Sequence, residues 1–463
     1  MKLNRLVLDN FRMHQHIDIK FEADLTIIVG DNGEGKTSIL DAISQLFGRL
    51  LSRLPGVVGT STRESDLRII QNNKLAPGFR IWMDVDVGTE VASLEKPSQE
   101  ILSRFVVSRS RLRDRLPITK FEFLKRCPPP ENPPPNSELG LKALDKFSDA
   151  LVEATIEDRS FQMPLLVYYG TGRAVFETPL RRRNFRTQFA RFDSLSGALN
   201  SNANFKRVFE WFHAKETEES FVHRKDRSFE YADQELAAVR RAIEGFFKDF
   251  SNPRTILRPL RFVVDKKEKS GKTITFDLNQ LSDGYRTTLA MITDLACRMV
   301  EANPVEMLSD PLHTEALVLI DEVDLHLHPR WQQEIILDLR RVFPNTQFIA
   351  TTHSAQVLTT VDARCIRKLV SKEEYTDISI PTFSLGAQSW QLMNDIQEVE
   401  SRPTLPITKK LKKYQLLVEN DKWDSPSAVK LRKDLDAWAG NQEALLKRID
   451  VDIRMREYRR GKK

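Results

Sequence analysis

The first thirty residues carry the apolar spacing of short β-strands. Residues 16–21 alternate between polar and apolar positions, and residues 25–29 are almost continuously apolar and rich in β-branched side chains. A β-branched run that ends in a glycine-rich loop is typical of a strand buried on both faces of a sheet. Beyond that loop, the apolar positions from Ile39 to Leu50 follow helical spacing, which predicts a helix that begins near Lys36.

A second regularly patterned block starts near residue 260. In it, strand-like and helix-like stretches alternate, at 273–278, 284–300, 316–320, 330–342 and 346–350. Strands that alternate with helices predict an α/β fold with a mostly parallel sheet covered on its faces.

The stretch between these two blocks is less regular. It contains strand patterns at 79–87 and 163–169 and helical patterns near 204–216 and 233–250. The proline-rich run 127–135 predicts an exposed loop. After Arg402-Pro403 the composition shifts to lysine-rich helical segments. We therefore expect a head at 1–400, with parts at 1–54, 55–255 (an inserted mixed region) and 256–400, followed by a helical basic extension at 401–463.

Composition indicates an ordinary globular chain of 463 residues, with 40% hydrophobic and 29% charged residues. No apolar run approaches the roughly 18 residues of a membrane helix, and the N-terminus lacks the apolar core of a signal peptide. The three cysteines lie far apart, which favours free thiols in a reducing compartment. These features predict a cytoplasmic protein without a membrane partner.

The net charge of +6 is unevenly distributed, because residues 405–463 hold 16 Lys/Arg against 9 Asp/Glu. Two further basic clusters lie at 104–115 and 181–191. Such patches can bind a nucleic acid backbone, but they also fit a solvated surface or a dock for an acidic protein. Charge alone leaves these alternatives open.

Residues 30–37 match the phosphate-binding pattern G-x-x-x-x-G-K-[ST]. Glycines let backbone N–H groups converge on phosphate oxygens, and the helix that follows presents its positive N-terminal end. Lys36 is expected to neutralise the β- and γ-phosphates, and the Thr37 hydroxyl to ligate Mg²⁺. The strand before the loop and the helix after it are the context that this motif requires.

A pair of carboxylates, Asp321-Glu322, follows the apolar run 317–320. A carboxylate at the end of a strand beside a phosphate loop can hold the Mg²⁺ shell, which fits Asp321. The next carboxylate can polarise the attacking water, which fits Glu322 as general base. Together with the phosphate loop, the pair predicts an ATPase.

Between the two nucleotide motifs, Leu281-Ser282-Asp283-Gly284-Tyr285-Arg286 opens a predicted helix. This segment resembles the signature of ABC-type ATPases in the variant of the SMC, RecF and OLD group. Asp324 resembles the D-loop of that group, Thr352-His353-Ser354 the switch histidine, and Asn10-Phe11-Arg12 the opening segment of RecF-like heads. The resemblance covers roughly residues 1–50 and 270–360.

The resemblance implies ATP and Mg²⁺ as cofactors and a site shared by two subunits packed head to tail. Lys36, Thr37, Asp321 and Glu322 would lie on one side, with Ser282 and Gly284 supplied by the partner, and the Q-loop glutamine has no clear position. The resemblance further implies catalytic roles for Lys36, Glu322 and His353. Thr37 and Asp321 would contact the metal. The residues that would contact the nucleotide are Arg12, Asn32, Gly33, Gly35, Lys36, Thr37, Ser38, Ser282, Gly284 and Asp324.

Plainer interpretations stand beside these roles. Ser282 is also a suitable helix N-cap, and His353 alone is more often a structural histidine. His326 and His328 have a spacing that suggests a metal site, but no further ligands accompany them. The ordered set of motifs, rather than any single residue, supports the ATPase.

Further features of the sequence indicate which kind of ABC-type ATPase the chain resembles. The chain lacks the heptads of an SMC coiled coil, and its signature differs from that of transporters. OLD proteins carry a C-terminal nuclease domain longer than the segment after Arg402, so we expect this chain to act without a nuclease domain of its own. The segment 164–173, with 196–200 and 209–212, is similar to stand-alone AAA-type ATPases of bacterial defence operons, such as those of Septu systems.

That resemblance implies an anti-phage ATPase that works with a separate HNH nuclease against DNA, with 401–463 as the docking element. A helical cap over the head is the alternative for this segment. The alternative functions are a RecF-like repair ATPase without a nuclease, and a scaffold that does not hydrolyse ATP. The complete set of Lys36, Asp321 and Glu322 disfavours the scaffold.

Overall fold

The computed structural model describes residues 1–70, 74–86, 104–112, 138–139, 141–174, 189–200, 205–227, 231–268, 270–372, 375–400, 402–439 and 442–461. The chain divides into two compact units, Met1–Gln397 and Glu398–Lys463. The proline-rich run 127–135 and the arginines at 181–186 lie outside the described residues.

Most of the secondary structure belongs to the first unit. Its described strands are β1 Lys2–Phe11, β2 His14–Lys20, β3 Leu25–Val29, β4 Gly78–Asp86, β5 Arg104–Leu112, β6 Glu138–Leu139, β7 Leu165–Tyr169, β8 Phe250–Leu257, β9 Leu260–Lys267, β10 Thr273–Asp277, β11 Ala316–Ile320, β12 Thr346–Thr351, β13 Ile366–Ser371 and β14 Thr376–Ser379. Its described α-helices are α1 Lys36–Leu51, α2 Leu141–Ile156, α3 Phe205–Asp226, α4 Gln234–Phe246, α5 Asp283–Ala302, α6 Pro329–Gln332, α7 Ile335–Val342, α8 Ala355–Leu358 and α9 Ser389–Asp395.

The central sheet has six strands in the order β14-β13-β3-β12-β11-β7. Every pairing is parallel except that of β13 with β14. All residues of β3, β7, β11 and β12 are buried, as the continuous apolar runs predict. Because these strands are parallel, the loops that follow them open at one edge of the sheet. The predicted α/β class is confirmed.

The described part of the first unit also contains two smaller sheets. β2, β1, β4, β5 and β6 form one sheet in that order, and β10, β9 and β8 form an antiparallel sheet. Two strands of the irregular middle stretch are therefore integral to larger sheets, since β4 pairs with β1 and β7 pairs with β11.

One predicted helix differs from the structure. The helical pattern at 330–342 is interrupted, so that α6 and α7 are separate elements. The break arises because Gln333 and Glu334 donate to the carbonyls of Arg330 and Trp331, three residues back, instead of four.

The described residues of the second unit form three helices, α10 Pro406–Glu419, α11 Pro426–Ala439 and α12 Ala444–Gly461. They enclose a small core of their own, to which Leu411, Tyr414, Leu435 and Leu446 contribute. Within the described ranges, no helix combines the length and apolar character that a bilayer-spanning segment needs.

Candidate active site

The phosphate loop, residues 30–37, leaves the end of β3 and enters α1. Gly33 and Gly35 have φ angles of 90° and 84°, in the left-handed region that favours glycine. At Gly35 the space is also closed, because a Cβ there would lie 2.4 Å from Nε2 of His14. The N-cap residue of α1 is Gly35, which has no side chain to cap the first N–H groups of the helix. Its first N–H groups and the positive end of its dipole therefore favour an anion at this point.

The Lys36 side chain lies inside the loop and is only 7% exposed. Its Nζ donates to the carbonyl oxygens of Gly30 at 2.8 Å and Asp31 at 2.9 Å. Burial lowers the pKa of Lys36, and the neighbouring carboxylates, Glu34 foremost, oppose that shift. The ammonium group is thus held within the loop, as neutralisation of a bound phosphate would require.

Asp321, directly after β11, meets the phosphate loop. The Thr37 hydroxyl donates to Oδ2 of Asp321 at 2.7 Å, and the Thr351 hydroxyl donates to Oδ1 at 2.6 Å. Asp321 is only 3% exposed. A hydroxyl and a carboxylate at this spacing are the hard oxygen donors that Mg²⁺ takes from a protein. The two residues predicted to bind the metal are therefore in direct contact.

Glu322 has a different environment from its neighbour. Its φ of 48° lies in the left-handed region, which costs a residue with a Cβ roughly 1–2 kcal/mol. Its N–H donates to the Thr351 hydroxyl at 2.7 Å. In the part of the chain that the structure describes, no hydrogen bond or ion pair engages its carboxylate, and the residue is half-buried. A carboxylate of this kind can accept a proton.

Asp324 and His353 lie close to the acidic pair. The Thr352 hydroxyl, just beyond β12, donates to Oδ1 of Asp324. His353 follows as an exposed residue whose carbonyl accepts from Nε2 of Gln397 at 2.7 Å. Both therefore lie at the edge of the sheet that carries Asp321, although their predicted roles stay predictions.

The other residues predicted to contact nucleotide are spread around the loop. Asn32 is exposed at its tip, and Ser38 lies in the first turn of α1. Arg12, at the turn after β1, forms ion pairs with Asp41 of α1 and with Asp66. Its side chain is 30% exposed and is therefore partly accessible from solvent.

Ser282 and Gly284 occupy the N-terminal end of α5. Ser282 is the N-cap residue, but its side chain makes no capping hydrogen bond. A Cβ at Gly284 would lie 2.4 Å from the carbonyl oxygen of His326, so glycine is needed for this close approach. Among the described residues, no hydrogen bond joins Ser282 or Gly284 to the phosphate loop or to the acidic pair.

The remaining sequence candidates have structural roles. His328 is the N-cap of α6, and its Nδ1 accepts from the Arg330 N–H. The described residues contain no group of three or more His, Cys, Asp or Glu that could hold a metal. In the basic cluster at 104–115, Arg109 and Arg111 donate to the carbonyls of Gln45 and Thr62.

Comparison with known proteins places this site in a family. The model of the AAA domain matches residues 5–249, and a second AAA domain model, whose description also refers to the AbiEii toxin of type IV toxin–antitoxin systems, matches 180–359. The chain belongs to the AAA domain family. The family match and the relatives described below fit an ABC-type ATPase of the RecF- and SMC-like group near PtuA, as the motifs predict.

Individual proteins and solved structures also resemble this chain. The "Retron Ec83 probable ATPase" of Escherichia coli is 29% identical over 97% of this chain and 86% of its own length. "Septu protein PtuA" of Bacillus thuringiensis is 29% identical over 39% of this chain and 46% of its own length. The structure of an SMC head bound to the C-winged helix domain of ScpA aligns with 83% of this chain and 98% of its own, at a TM-score of 0.46 and 16% identity.

Sequence reasoning missed two residues of this ATPase site. Thr351 bonds to both acidic residues, but the sequence pattern ended the predicted strand at residue 350, one position before it. Arg173 follows β7, is 3% exposed and donates to the carbonyls of Asp321 and Glu322. Burial lowers the pKa of Arg173 to about 10. Only the pairing of β7 with β11 reveals Arg173, because 148 residues separate it from Asp321.

Proposed function

We propose that this chain is the ATP-binding and hydrolysing subunit of a cytoplasmic anti-phage defence complex that controls a partner HNH nuclease acting on DNA. The observation that carries the proposal is the alignment with the retron ATPase over 97% of this chain and 86% of that relative. A likeness of this extent includes the middle region and the C-terminal helices, whereas the nucleotide motifs are shared with ATPases of many functions.

ATP and Mg²⁺ fit the residues at the sheet edge. The uncapped start of α1 and the buried Lys36 would hold the phosphates, with Gly33 and Gly35 admitting them close to the backbone. Thr37 and Asp321 would hold the Mg²⁺, which supplies charge neutralisation when it is bound. Arg12 and the exposed Asn32 would add nucleotide contacts from the rim, and the buried Ser38 would add one from the first turn of α1.

Glu322 is the general base of the proposed hydrolysis. A water molecule would attack the γ-phosphorus and give its proton to the Glu322 carboxylate, while the bond to the β-phosphate oxygen breaks and ADP leaves. The uncommitted carboxylate and the fixed backbone of Glu322 support this role. His353 and Asp324, at the same edge, would act on the γ-phosphate side of the site.

The Glu322→Gln variant tests this role directly. We expect ATP to bind with nearly unchanged affinity while turnover falls on the order of 10²–10⁴-fold, because a carboxamide cannot accept the proton. Binding is measured by calorimetry and turnover by phosphate release. The Glu334→Gln variant, an exposed carboxylate on the nearby helical segment, serves as the control. Wild-type turnover of Glu322→Gln would remove Glu322 from the mechanism.

A second copy of the chain would supply Ser282 and Gly284. Ser282 forms no capping bond and is exposed, so its hydroxyl is accessible to a nucleotide held by another subunit. The N-terminal end of α5 would then stabilise the charge of the γ-phosphate. Since hydrolysis removes that charge, ATP would both join the two heads and time their release.

The C-terminal unit is the proposed dock for the nuclease. Its described acidic residues are largely engaged in internal ion pairs, such as Lys410–Asp434 and Arg432–Asp450. Lys409, Lys412 and Lys413 of α10 are exposed, and no described acidic residue forms an ion pair with them. An acidic surface on the partner would match this cluster.

Purification from cells that express the neighbouring genes tests the dock and the nuclease together. We expect an HNH protein to co-purify with the full chain, and removal of residues 398–463 to abolish this while ATPase activity remains. Reversal of Lys409, Lys412 and Lys413 to Glu should weaken capture, whereas reversal of the exposed Lys447 and Arg448 of α12 serves as the control. A chain that binds DNA and no nuclease would favour the RecF-like alternative.

A further inference from the structure

Arg173 lies in the turn directly after β7, beside the acidic pair. β7 runs parallel to β11, with Tyr169 opposite Ile320, so the turn after β7 lies next to Asp321. The Asp321 N–H donates to the carbonyl of Tyr169 at 2.8 Å, which keeps the two strands in register up to this point. The position of Arg173 is therefore set by the central sheet.

The guanidinium of Arg173 binds backbone carbonyls. Nη1 donates to the carbonyls of Asp321 and of Gly170, the latter at 3.0 Å, and Nη2 donates to the carbonyl of Glu322 at 2.6 Å. Across the part of the chain that the structure describes, no carboxylate lies within ion-pair distance of it. Arg173 thus holds the backbone of both acidic residues without binding either carboxylate.

These contacts fix the direction of the Glu322 side chain. The peptide between Asp321 and Glu322 is held at its carbonyl by Arg173 and at its N–H by Thr351. The carbonyl of Glu322 is held by Nη2 of Arg173. Both peptides that flank the Cα of Glu322 are therefore restrained, at a residue whose φ of 48° is unfavourable without such support.

We propose that Arg173 is a positioning residue for ATP hydrolysis, which holds Glu322 in the backbone conformation that directs its carboxylate at the attacking water. This inference rests on the proposed role of Glu322 as general base. Two nitrogens of the Arg173 guanidinium reach the carbonyls of Asp321 and Glu322 at the fixed spacing of a rigid planar fork, whereas an ammonium group donates from a single nitrogen. Its distinguishing consequence is a loss of turnover at nearly constant affinity for ATP.

The Arg173→Met and Arg173→Lys variants test the proposal, with Arg191→Met as a matched control. Arg191 also donates to backbone carbonyls, those of Ala302 at 2.8 Å and Phe161 at 2.7 Å, but it contacts neither acidic residue. We expect Arg173→Met to lower kcat on the order of tenfold to a hundredfold with ATP Kd changed less than about threefold. Arg173→Lys should lie between the wild type and Arg173→Met.

The control should lose thermal stability but keep its kcat. Wild-type kcat in Arg173→Met or Arg173→Lys would overturn the proposal, as would an equal loss of kcat in Arg191→Met. If Arg173→Met does not fold, the lysine variant decides, because it retains the charge and most of the side-chain volume. Partial restoration of kcat by added guanidinium in Arg173→Ala, and not in Glu322→Gln, is expected in addition.

A double-mutant cycle separates this inference from the proposed function. If Arg173 acts through Glu322, Arg173→Met should cost little further turnover in the Glu322→Gln background. If the two substitutions instead lower turnover independently, so that their fold-losses multiply, the positioning role is contradicted while Glu322 remains the base. Wild-type turnover of Glu322→Gln alone would instead contradict the proposed base itself, and the positioning role with it.

Discussion

The two halves of the proposed ATP site differ in how the chain assembles them. In the phosphate-loop half, residues 30–38 with Asp321 and Glu322, the start of α1 meets the ends of β11 and β12 through hydrogen bonds of 2.6–2.7 Å. In the signature half, residues 282–284, the Ser282 side chain makes no capping bond and Gly284 packs on the His326 carbonyl of its own chain. The fold of this chain assembles the phosphate-loop half by itself, whereas the signature half is suited to contact the nucleotide of a second copy.

This difference follows from where each half lies in the fold. The phosphate-loop half gathers at the carboxyl edge of a parallel sheet, where loops from distant parts of the sequence must converge. The signature half begins a helix, and its close approach to His326 couples it to the loop after the acidic pair. Experiments that disturb the two halves separately should therefore give different defects.

The largest effect is expected from Asp321→Ala in the phosphate-loop half. The change removes the acceptor of both the Thr37 and Thr351 hydroxyls together with the proposed metal ligand. Turnover should fall on the order of a thousandfold, since metal charge stabilisation contributes several kcal/mol. Phosphate release at saturating Mg²⁺ measures it, with Asp377→Asn, an exposed residue paired with Lys372, as the control. A loss below tenfold contradicts the metal role.

Mixing two inactive variants should restore turnover if the signature half comes from a partner. Lys36→Ala disables the phosphate loop, and Ser282→Arg blocks an exposed signature residue. In an equal mixture, half of the dimers are mixed and each has one intact site, so we expect about a quarter of wild-type turnover. Two separately purified variants that stay inactive after mixing in ATP would show that each chain uses its own signature residues.

A smaller effect should separate Gly284→Ala from Gly33→Ala. The Cβ at Gly284 would meet the His326 carbonyl at 2.4 Å, so α5 must shift, at a cost of about 1–3 kcal/mol. At Gly33 an added Cβ would have no described atom within 4 Å apart from its chain neighbours, so the φ of 90° is what opposes alanine. Gly284→Ala should lower turnover with ATP binding retained, whereas Gly33→Ala should weaken ATP binding. Calorimetry measures ATP binding and thermal melting measures the loss of stability in each variant. Weakened ATP binding in Gly284→Ala with retained binding in Gly33→Ala would contradict the comparison of the two halves.

The smallest expected effect is on the pH dependence of stability, and it concerns His14, which contacts the backbone of the phosphate loop at Gly35. Its side chain is fully buried, with Nε2 donating to the Gly35 carbonyl at 3.2 Å and Nδ1 close to the Thr376 hydroxyl at 3.1 Å. Burial lowers the pKa of His14 from the ordinary 6.5. The unfolded chain therefore takes up a proton that the folded chain refuses, and stability is lost as the pH falls below 6.5.

Replacement of His14 by glutamine should remove this pH dependence. Between pH 7.5 and pH 5.5, the wild type should lose about 1 kcal/mol more stability than His14→Gln, because one buried group is involved. Thermal midpoints of both proteins across this range provide the measurement. Parallel curves for the two proteins would show that His14 accepts its proton in the folded state as readily as in the unfolded one.

Much of the site could be predicted because its motifs are local. The phosphate loop needs glycines, Lys36 and Thr37 within eight consecutive residues, between a buried strand and a helix. Asp321 and Glu322 directly follow a run that is buried in the structure. The helix that starts at Lys36 and the strands at 25–29 and 316–320 have the predicted bounds, because continuous apolar runs specify buried strands.

The sequence by itself determined the ATPase: the motifs, their order and the parallel α/β class all follow from local patterns. Only the tertiary structure decided which side chains support the acidic pair. Thr37 lies 284 residues from Asp321, and Arg173 lies 148 residues from it. Their contacts depend on strand order and register, which depend on packing of the whole sheet, since no local pattern specifies which strands become neighbours.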